Sequence, residues 1–534
     1  MTGKICILGN GRCAEQITEH LLAAEADVII ATRCDKLDVI TSSDILFKDN
    51  QHIEILTKTH LISCSGTSGN FRLRLSVNGV EKYRQVSGIV VGEKEERRPN
   101  DSLYGLVLSD AVIPLSRFSS MLDKKRDAGS LTSGLKHVVF LNGLVQESHP
   151  VIVEEILQMA LVLQSDLNVQ GYVLTKNLKV AGEGIEKLYR QTKEAGTFYV
   201  KFCDALPKIR QDKDGGVRIE FIDDITGQKF RLQPELVVVD ETIVPSNNAG
   251  TLAQILELDT DLNGFLQADN VNRLISFTNR KGILVAGPAR DVLASSDPMI
   301  EADSAAGAAL RLINSPSPTP NDRAQINTGQ CVRCLTCFRL CPYRAIQLNT
   351  RVTVSPEACE SCGICAAECP RGAIHIPGLE SNEITQRYLP EEQNCMERAA
   401  TPFIVAFCCA RSATRAGELA TNIGFPLPEG LKMVEVPCAG SISVDHILGA
   451  FINGVDGMLL FTCHEGNCHS ERGNIFARRR MEQLADIFSS MGFEKERLNV
   501  QTIASNMGRE FAEIVNGFEH TIRNLDLNRL KEEK

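Results

Sequence analysis

The sequence predicts an α/β chain of several domains, and three observations carry that reading. Short apolar strands alternate with amphipathic helices, as at 4–8, then a helix to about residue 24, then a strand at 28–31. A cysteine pattern is written twice in the interior, as Cys331-x-x-Cys334-x-x-Cys337-x-x-x-Cys341-Pro342 and Cys359-x-x-Cys362-x-x-Cys365-x-x-x-Cys369-Pro370. Beyond it, three further apolar strands each run into cysteine. The expected architecture is two Rossmann-like units, an inserted cysteine-rich module and a C-terminal α/β domain.

The first strand runs into Gly9-Asn10-Gly11-Arg12-Cys13-Ala14, a G-x-G-x-x-A turn before a helix. Gly9 makes the tight turn, and Gly11 lets backbone approach a pyrophosphate held at the helix N-terminus. Gly9, Gly11 and Ala14 are therefore candidate cofactor-binding residues. The second strand should end in an acid for the ribose, but it ends in Thr32-Arg33, with Asp35 and Asp38 farther on. Dinucleotide binding and a purely structural Rossmann unit both remain open. Residues 51–92 alternate apolar and polar, as expected of sheet insertions in a flavin-type domain, and 94–100 read as a solvated charged turn.

A second α/β unit begins at His137, with strands at 138–141, 171–175 and 198–202 and helices at 151–163 and 185–195. Segments 218–222, 230–232 and 236–239 read as a meander returning to the sheet. The run 282–288 is a buried strand ending in Gly287-Pro288. The small-residue helix that follows at 303–312 either faces a flavin or packs tightly. The proline-spaced run 315–320 is a linker.

Four thiolates are needed around each [4Fe–4S] cubane. Three closely spaced cysteines wrap one cluster, and the fourth, ahead of proline, crosses to the other. Cys331, Cys334, Cys337 and Cys369 are thus assigned to one cluster, and Cys341, Cys359, Cys362 and Cys365 to its partner. The competing readings are zinc and a disulfide staple, and zinc sites rarely use eight cysteines in this order. In the last domain, strands at 402–407, 434–437 and 457–461 deliver Cys408-Cys409, Cys438, and Cys463 with Cys468. Strand ends of an open parallel sheet share one edge, where sites assemble. Cys409, Cys438, Cys463 and Cys468 are the expected ligands of a [2Fe–2S] centre, with Cys408 as spare or substitute. The competing reading is a set of inert or reactive thiols. His464 and His469 either ligate or orient the loop. Cys6, Cys13, Cys34, Cys64, Cys203 and Cys395 read as small buried hydrophobes, and Arg478-Arg479-Arg480 as a solvated helix face.

The 534 residues carry a net charge of −10, which argues against nucleic acid as the main partner. The start lacks the pattern of a signal peptide, and no apolar run reaches the ~18 residues of a membrane span. Nineteen cysteines with no export signal imply a reducing, cytoplasmic compartment.

The last ~130 residues resemble the delta subunit of methyl-viologen-reducing hydrogenase. The resemblance rests on Phe407-Cys408-Cys409, Val436-Pro437-Cys438-Ala439-Gly440-Ser441, Cys463-His464-Glu465-Gly466-Asn467-Cys468-His469 and Gly473-Asn474. It implies a [2Fe–2S] cluster and electron delivery to heterodisulfide reductase. Where that family has a further cysteine, this chain has Ser412. Residues 1–313 resemble the flavoprotein component of heterodisulfide reductase, its A-subunit, through Tyr172-Val173-Leu174-Thr175-Lys176, Gly182–Arg190, Leu284–Pro288 and Asp297-Pro298. That resemblance implies FAD and adds Gly287, Pro288 and Asp297 to the cofactor-binding candidates. The chain departs from it at Val91-Gly92-Glu93 and Asp240-Glu241-Thr242, and it has no cysteine at 141–162. The fused arrangement resembles the B-subunit of the quinone-interacting membrane-bound oxidoreductase complex.

The expected domains are 1–136 and 137–313 (Rossmann-like flavoprotein units), a linker 314–321, the ferredoxin module 322–376, a linker 377–400 and the delta-subunit-like domain 401–534. The expected function is electron transfer within a heterodisulfide reductase-like or quinone-interacting complex. Substrate chemistry would lie in partner subunits, which would also make any contact with the inner membrane face. The competing functions are a self-contained flavin-dependent NAD(P)H or disulfide oxidoreductase, and a flavin-free scaffold wired by clusters alone.

Overall fold

The computed structural model describes residues 3–37, 50–127, 135–203, 205–224, 227–267, 273–294, 297–314, 322–348, 350–389 and 401–525. Asp38, Cys395 and the 315–320 linker lie outside them. The first unit is a five-stranded parallel sheet ordered Ile283–Val285, Gly88–Gly92, Lys4–Gly9, Asp27–Ala31, Ile53–Leu56. Alternation along each strand sends Ile5, Ile7, Val28 and Ile30 to one face, against helices Arg12–Ala23 and Asp297–Asn314. It sends Cys6, Leu8, Ile29 and Ala31 to the other face, under a three-stranded antiparallel sheet (residues 59–86) and helix Ala249–Leu256. The small residues Ala302, Ala305, Ala306 and Ala309 let the long helix lie close on this sheet.

The second unit is also five-stranded and parallel, ordered Phe198–Lys201, Gln170–Thr175, His137–Asn142, Leu236–Val239, Val112–Pro114. Val112–Pro114 pairs with Leu236–Val239, so this unit begins before residue 112 and not at the expected boundary of 137. Of the expected meander, only Leu236–Val239 joins the parallel sheet. Lys208–Gln211, Val217–Ile222 and Lys229–Leu232 form a separate antiparallel sheet. The charged run at 94–100 is no turn. Glu96–Pro99 pairs antiparallel with Glu241–Val244 in a ribbon joining the units, and Arg97 forms an ion pair with Glu155 at 2.6 Å.

The C-terminal domain is a four-stranded parallel sheet ordered Leu431–Val436, Ile404–Cys409, Gly457–Thr462, Leu498–Thr502. Helices Ala413–Ile423 and Gly508–Arg523 cover one face. On the other face, with Val444–Ile452 and Gly473–Ser490, the core runs without a break into the cysteine-rich module, through Ala345, Ala358, Cys359, Cys365 and Ile376. The expected linker 377–400 contains a capped helix, Ser381–Tyr388, whose buried Ile384 and Tyr388 are part of that same core. Arg480, expected on a solvated face, is buried and reaches Glu368 of the module at 2.7 Å. Cys34 and Cys203 are exposed, whereas Cys6 and Cys13 are buried as expected. Among the described residues no helix is long and apolar enough to cross a membrane.

Candidate iron–sulfur sites

The cysteine-rich module sorts its eight thiols into two cavities. Cys331, Cys334, Cys337 and Cys369 line one. Cys341, Cys359, Cys362 and Cys365 line the other. The grouping is the one expected from the crossing of the proline-linked cysteine. Short helices Thr336–Leu340 and Ile364–Ala367 carry the third cysteine of each run. The turns between cysteines use left-handed backbone at matching positions, Arg333 and Leu335 in one run, Ser361 and Gly363 in the other. The two crossing cysteines are held alike: the Ala345 amide donates to Cys341 Sγ and the Ala373 amide to Cys369 Sγ, each at 3.3 Å. Such N–H···S bonds tune the potential of a bound cluster.

The two groups differ in surroundings. Cys334 is exposed, and the Thr336 hydroxyl lowers its thiol pKa. Cys359 and Cys365 are buried, and burial raises the Cys362 thiol well above the ordinary range. The residue after the second cysteine is Leu335 in one run and Gly363 in the other. A Cβ on Gly363 would lie 2.3 Å from Ser441 Cβ, because the C-terminal domain is seated there. The first Rossmann unit meets the module near the same group, through Thr67 to Ser355 at 3.0 Å and the Lys281–Glu360 ion pair. The second group thus lies where all three parts of the chain converge.

At the edge of the C-terminal sheet, Cys409, Cys438, Cys463 and Cys468 are buried together with Ile364, and Cys362 packs against them. Cys409 Sγ and Cys463 Sγ are 3.6 Å apart. Hydrogen bonding to Cys463 and burial raise the Cys409 pKa, and contact with Cys438 first of all pushes Cys468 up to about 11. Neutral thiols crowded in this way become thiolates when iron supplies the compensating charge. Cys408 does not join them. It faces the opposite side of the sheet, among Ala413, Ala416 and Phe461. Gly473 allows the approach, since a Cβ there would lie 2.3 Å from Cys438 Sγ. His464 is exposed, and the ligand loop is held instead by Asn474, which donates to the carbonyls of Cys463 (3.0 Å) and His464 (3.1 Å). Ser412 Oγ lies 3.5 Å from Cys463 Sγ. The sequence marks Ser412 as a departure from the family's cysteine and Asn474 as part of the matching motif, but it gives no role to Ile364, an apolar residue without a chemical signal.

In the first Rossmann unit, Gly9, Gly11, Ala14 and Gly287 meet at one sheet edge. A Cβ on Gly9 would strike the Gly92 carbonyl at 2.2 Å, and one on Gly287 would lie 2.7 Å from Cys13 Sγ and 3.7 Å from Pro298. Asp297 therefore starts its helix beside Gly287-Pro288. Gly11 is overlain by the Lys94 side chain, and its amide donates to Asn10 Oδ1 at 2.9 Å. Lys94 is exposed and stands over the turn where a pyrophosphate would lie, which places a cation at that spot. Thr32 stands where the ribose acid was expected, and it accepts the Cys34 amide at 3.2 Å.

The second unit differs. Its turn residue Gly143 donates to Asp240 Oδ2 at 2.7 Å, and Ser148 donates to the same oxygen at 2.6 Å. Tyr104 and Asn100 donate to the other oxygen at 2.8 and 3.1 Å. The anion held at this turn is the chain's own fully buried carboxylate.

The geometry defines an iron–sulfur protein with a two-cluster module between Rossmann units and a cysteine-edged sheet. Residues 330–373 match the 4Fe-4S dicluster domain family. Residues 404–526 match the family described as methyl-viologen-reducing hydrogenase, delta subunit. The iron-sulfur D-subunit of the F420-non-reducing hydrogenase of Archaeoglobus profundus is 36% identical over 124 residues, 23% of this chain and 90% of that protein. Through its C-terminal domain, the chain belongs to this delta-subunit family. The A-subunit of the ferredoxin/F420H2-dependent CoB-CoM heterodisulfide reductase of Methanosarcina acetivorans is 23% identical over 344 residues, 64% of this chain. The chain spans 43% of the length of that relative. The thioredoxin reductase structure from T. acidophilum aligns over 58% of this chain and 98% of its own, at 14% identity and a TM-score of 0.39. The chain thus joins a region similar to the heterodisulfide reductase A-subunit, a dicluster module and a delta-subunit domain.

Proposed function

We propose that the chain is an electron-transfer subunit of a heterodisulfide reductase-like or quinone-interacting redox complex. One observation carries this reading. The Cys362–Gly363–Ile364 turn is seated directly on Cys438 and Cys468, across a core shared by module and C-terminal domain. The assignment is Cys331, Cys334, Cys337 and Cys369 to one [4Fe–4S] cluster, Cys341, Cys359, Cys362 and Cys365 to a second, and Cys409, Cys438, Cys463 and Cys468 to a [2Fe–2S] centre. Bound clusters supply one-electron transfer. The chain's residues fix the spacing, exclude water and set potentials through N–H···S bonds and burial.

The proposed flavin position is the turn Gly9–Gly11 with Lys94, beside Gly287, Pro288 and Asp297. A flavin there would supply exchange between two-electron and one-electron chemistry. A pyridine-nucleotide enzyme finds no support in the second unit, whose turn holds Asp240. Substrate chemistry then belongs to partner subunits, which also make any membrane contact.

Anaerobically purified chain should contain roughly eight to twelve irons with matching sulfide. Cys438→Ser should remove a [2Fe–2S] EPR signal and leave the [4Fe–4S] pair. Colourless protein without sulfide would end this reading, and an unchanged spectrum in the variant would end the C-terminal assignment. Flavin released by acid tests the Rossmann site separately.

A further inference from the structure

We propose that the exposed face around Cys334 is the docking surface for a small acidic iron–sulfur carrier protein. The inference rests on the electron-transfer reading above and names the kind of partner it serves.

The cluster cavity of Cys341, Cys359, Cys362 and Cys365 is enclosed by the chain's own domains. In the group of Cys331, Cys334, Cys337 and Cys369, Cys334 is exposed to solvent. Exchange between the module and an outside protein is served by this second face. The Leu335 and Gly363 difference marks the same asymmetry: only the glycine side is shaped to receive a domain of this chain.

The chemistry of the open face is specific. Three large apolar side chains stand out in solvent, Val332 (61% exposed), Phe338 (43%) and Leu348 (50%). Leu348 ends the strand Ile346–Leu348, which packs against helix Thr336–Leu340 bearing Phe338. Around them lie the exposed side chains of Arg333, Arg339, Arg351 and Arg371. Arg333 and Arg371 line the cluster cavity itself. The chain carries a net charge of −10, yet from Arg323 to Pro356 it has five arginines and no Asp or Glu. Arg333 donates to the Thr350 carbonyl at 2.6 Å, and Arg339 to the Cys334 carbonyl at 3.4 Å. Both guanidinium groups are therefore positioned while their charge is left unneutralised, since no carboxylate among the described residues pairs with them. A small apolar centre within a charged rim is the anatomy of a weak, rapidly exchanging encounter. The positive rim selects and steers an acidic partner.

The test uses the full-length, iron-replete chain and two probes, an acidic two-cluster ferredoxin and the basic haem protein cytochrome c. The ferredoxin should bind, and affinity should fall steeply as salt is raised. Arg333→Glu/Arg339→Glu/Arg371→Glu should weaken it by roughly tenfold or more and let cytochrome c bind. Arg351→Glu with Leu348→Asp lies off the cysteine loops, and should weaken ferredoxin binding with iron content unchanged. Salt-independent binding, preference of the unmodified chain for cytochrome c, or ferredoxin affinity unchanged in the Arg351/Leu348 variant would each overturn the docking face. Absence of iron would instead overturn the relay on which it rests.

Discussion

Arg480 of the C-terminal domain forms an ion pair with Glu368 of the ferredoxin module at 2.7 Å, with the arginine 6% exposed. The same guanidinium donates to the carbonyls of Gly440 and Ile442. One side chain thus ties a cluster-ligand loop, whose next residue is Cys369, to the turn that follows Cys438. Arg480→Ala leaves the half-buried Glu368 carboxylate and two carbonyls without this donor, with an expected cost of about 1–3 kcal/mol. Guanidinium unfolding measures the loss, and limited proteolysis should release the C-terminal domain more readily.

Asp240 accepts from four donors while wholly buried. Asp240→Ala leaves all four without their acceptor and should cost about 2–5 kcal/mol, from hydrogen bonds to a charged group. Asp240→Asn keeps one acceptor oxygen and should cost less. The order of the two unfolding midpoints checks this, and titration of the unmodified chain with NADH should give no binding signal.

Ser412 Oγ stands 3.5 Å from Cys463 Sγ. Donation to a ligand sulfur stabilises the reduced, more negative centre and so raises its potential. Ser412→Ala should lower the midpoint potential of the [2Fe–2S] signal in an EPR-monitored redox titration, with iron content unchanged. An unmoved potential would show that the hydroxyl does not act on the sulfur.

His446, on helix Val444–Ile452, joins the C-terminal domain to the segment that follows the module. Its Nδ1 accepts the Ser443 amide at 3.1 Å, and its Nε2 donates to the Leu379 carbonyl at 3.1 Å, the pattern of a neutral ring. Burial lowers its pKa from 6.5. The unfolded chain therefore takes up this proton at higher pH than the folded one, and stability falls as pH drops below 6.5 through the folded value. The unfolding midpoint should fall between pH 7.5 and pH 5.5, and less so in His446→Gln.

The sequence alone determined whatever depends on spacing along the chain. The two cysteine runs dictate their own grouping, because loops of two and three residues can wrap only so far. The G-x-G-x-x-A turn announces a Rossmann unit for the same reason, and cysteines at the ends of parallel strands must share an edge. Tertiary structure decided what depends on residues far apart. Cys408 and Cys409 alternate across one strand, and only the packing of helices on each face tells which looks toward Cys463. Arg480 reads as a solvated charge until Glu368, 112 residues earlier, is folded against it. Asp240 reads as a departure from a nucleotide motif until its carboxylate is seen in the turn of Gly143. Local geometry is set by covalent reach, whereas these contacts are selected by burial, which no short window of residues contains.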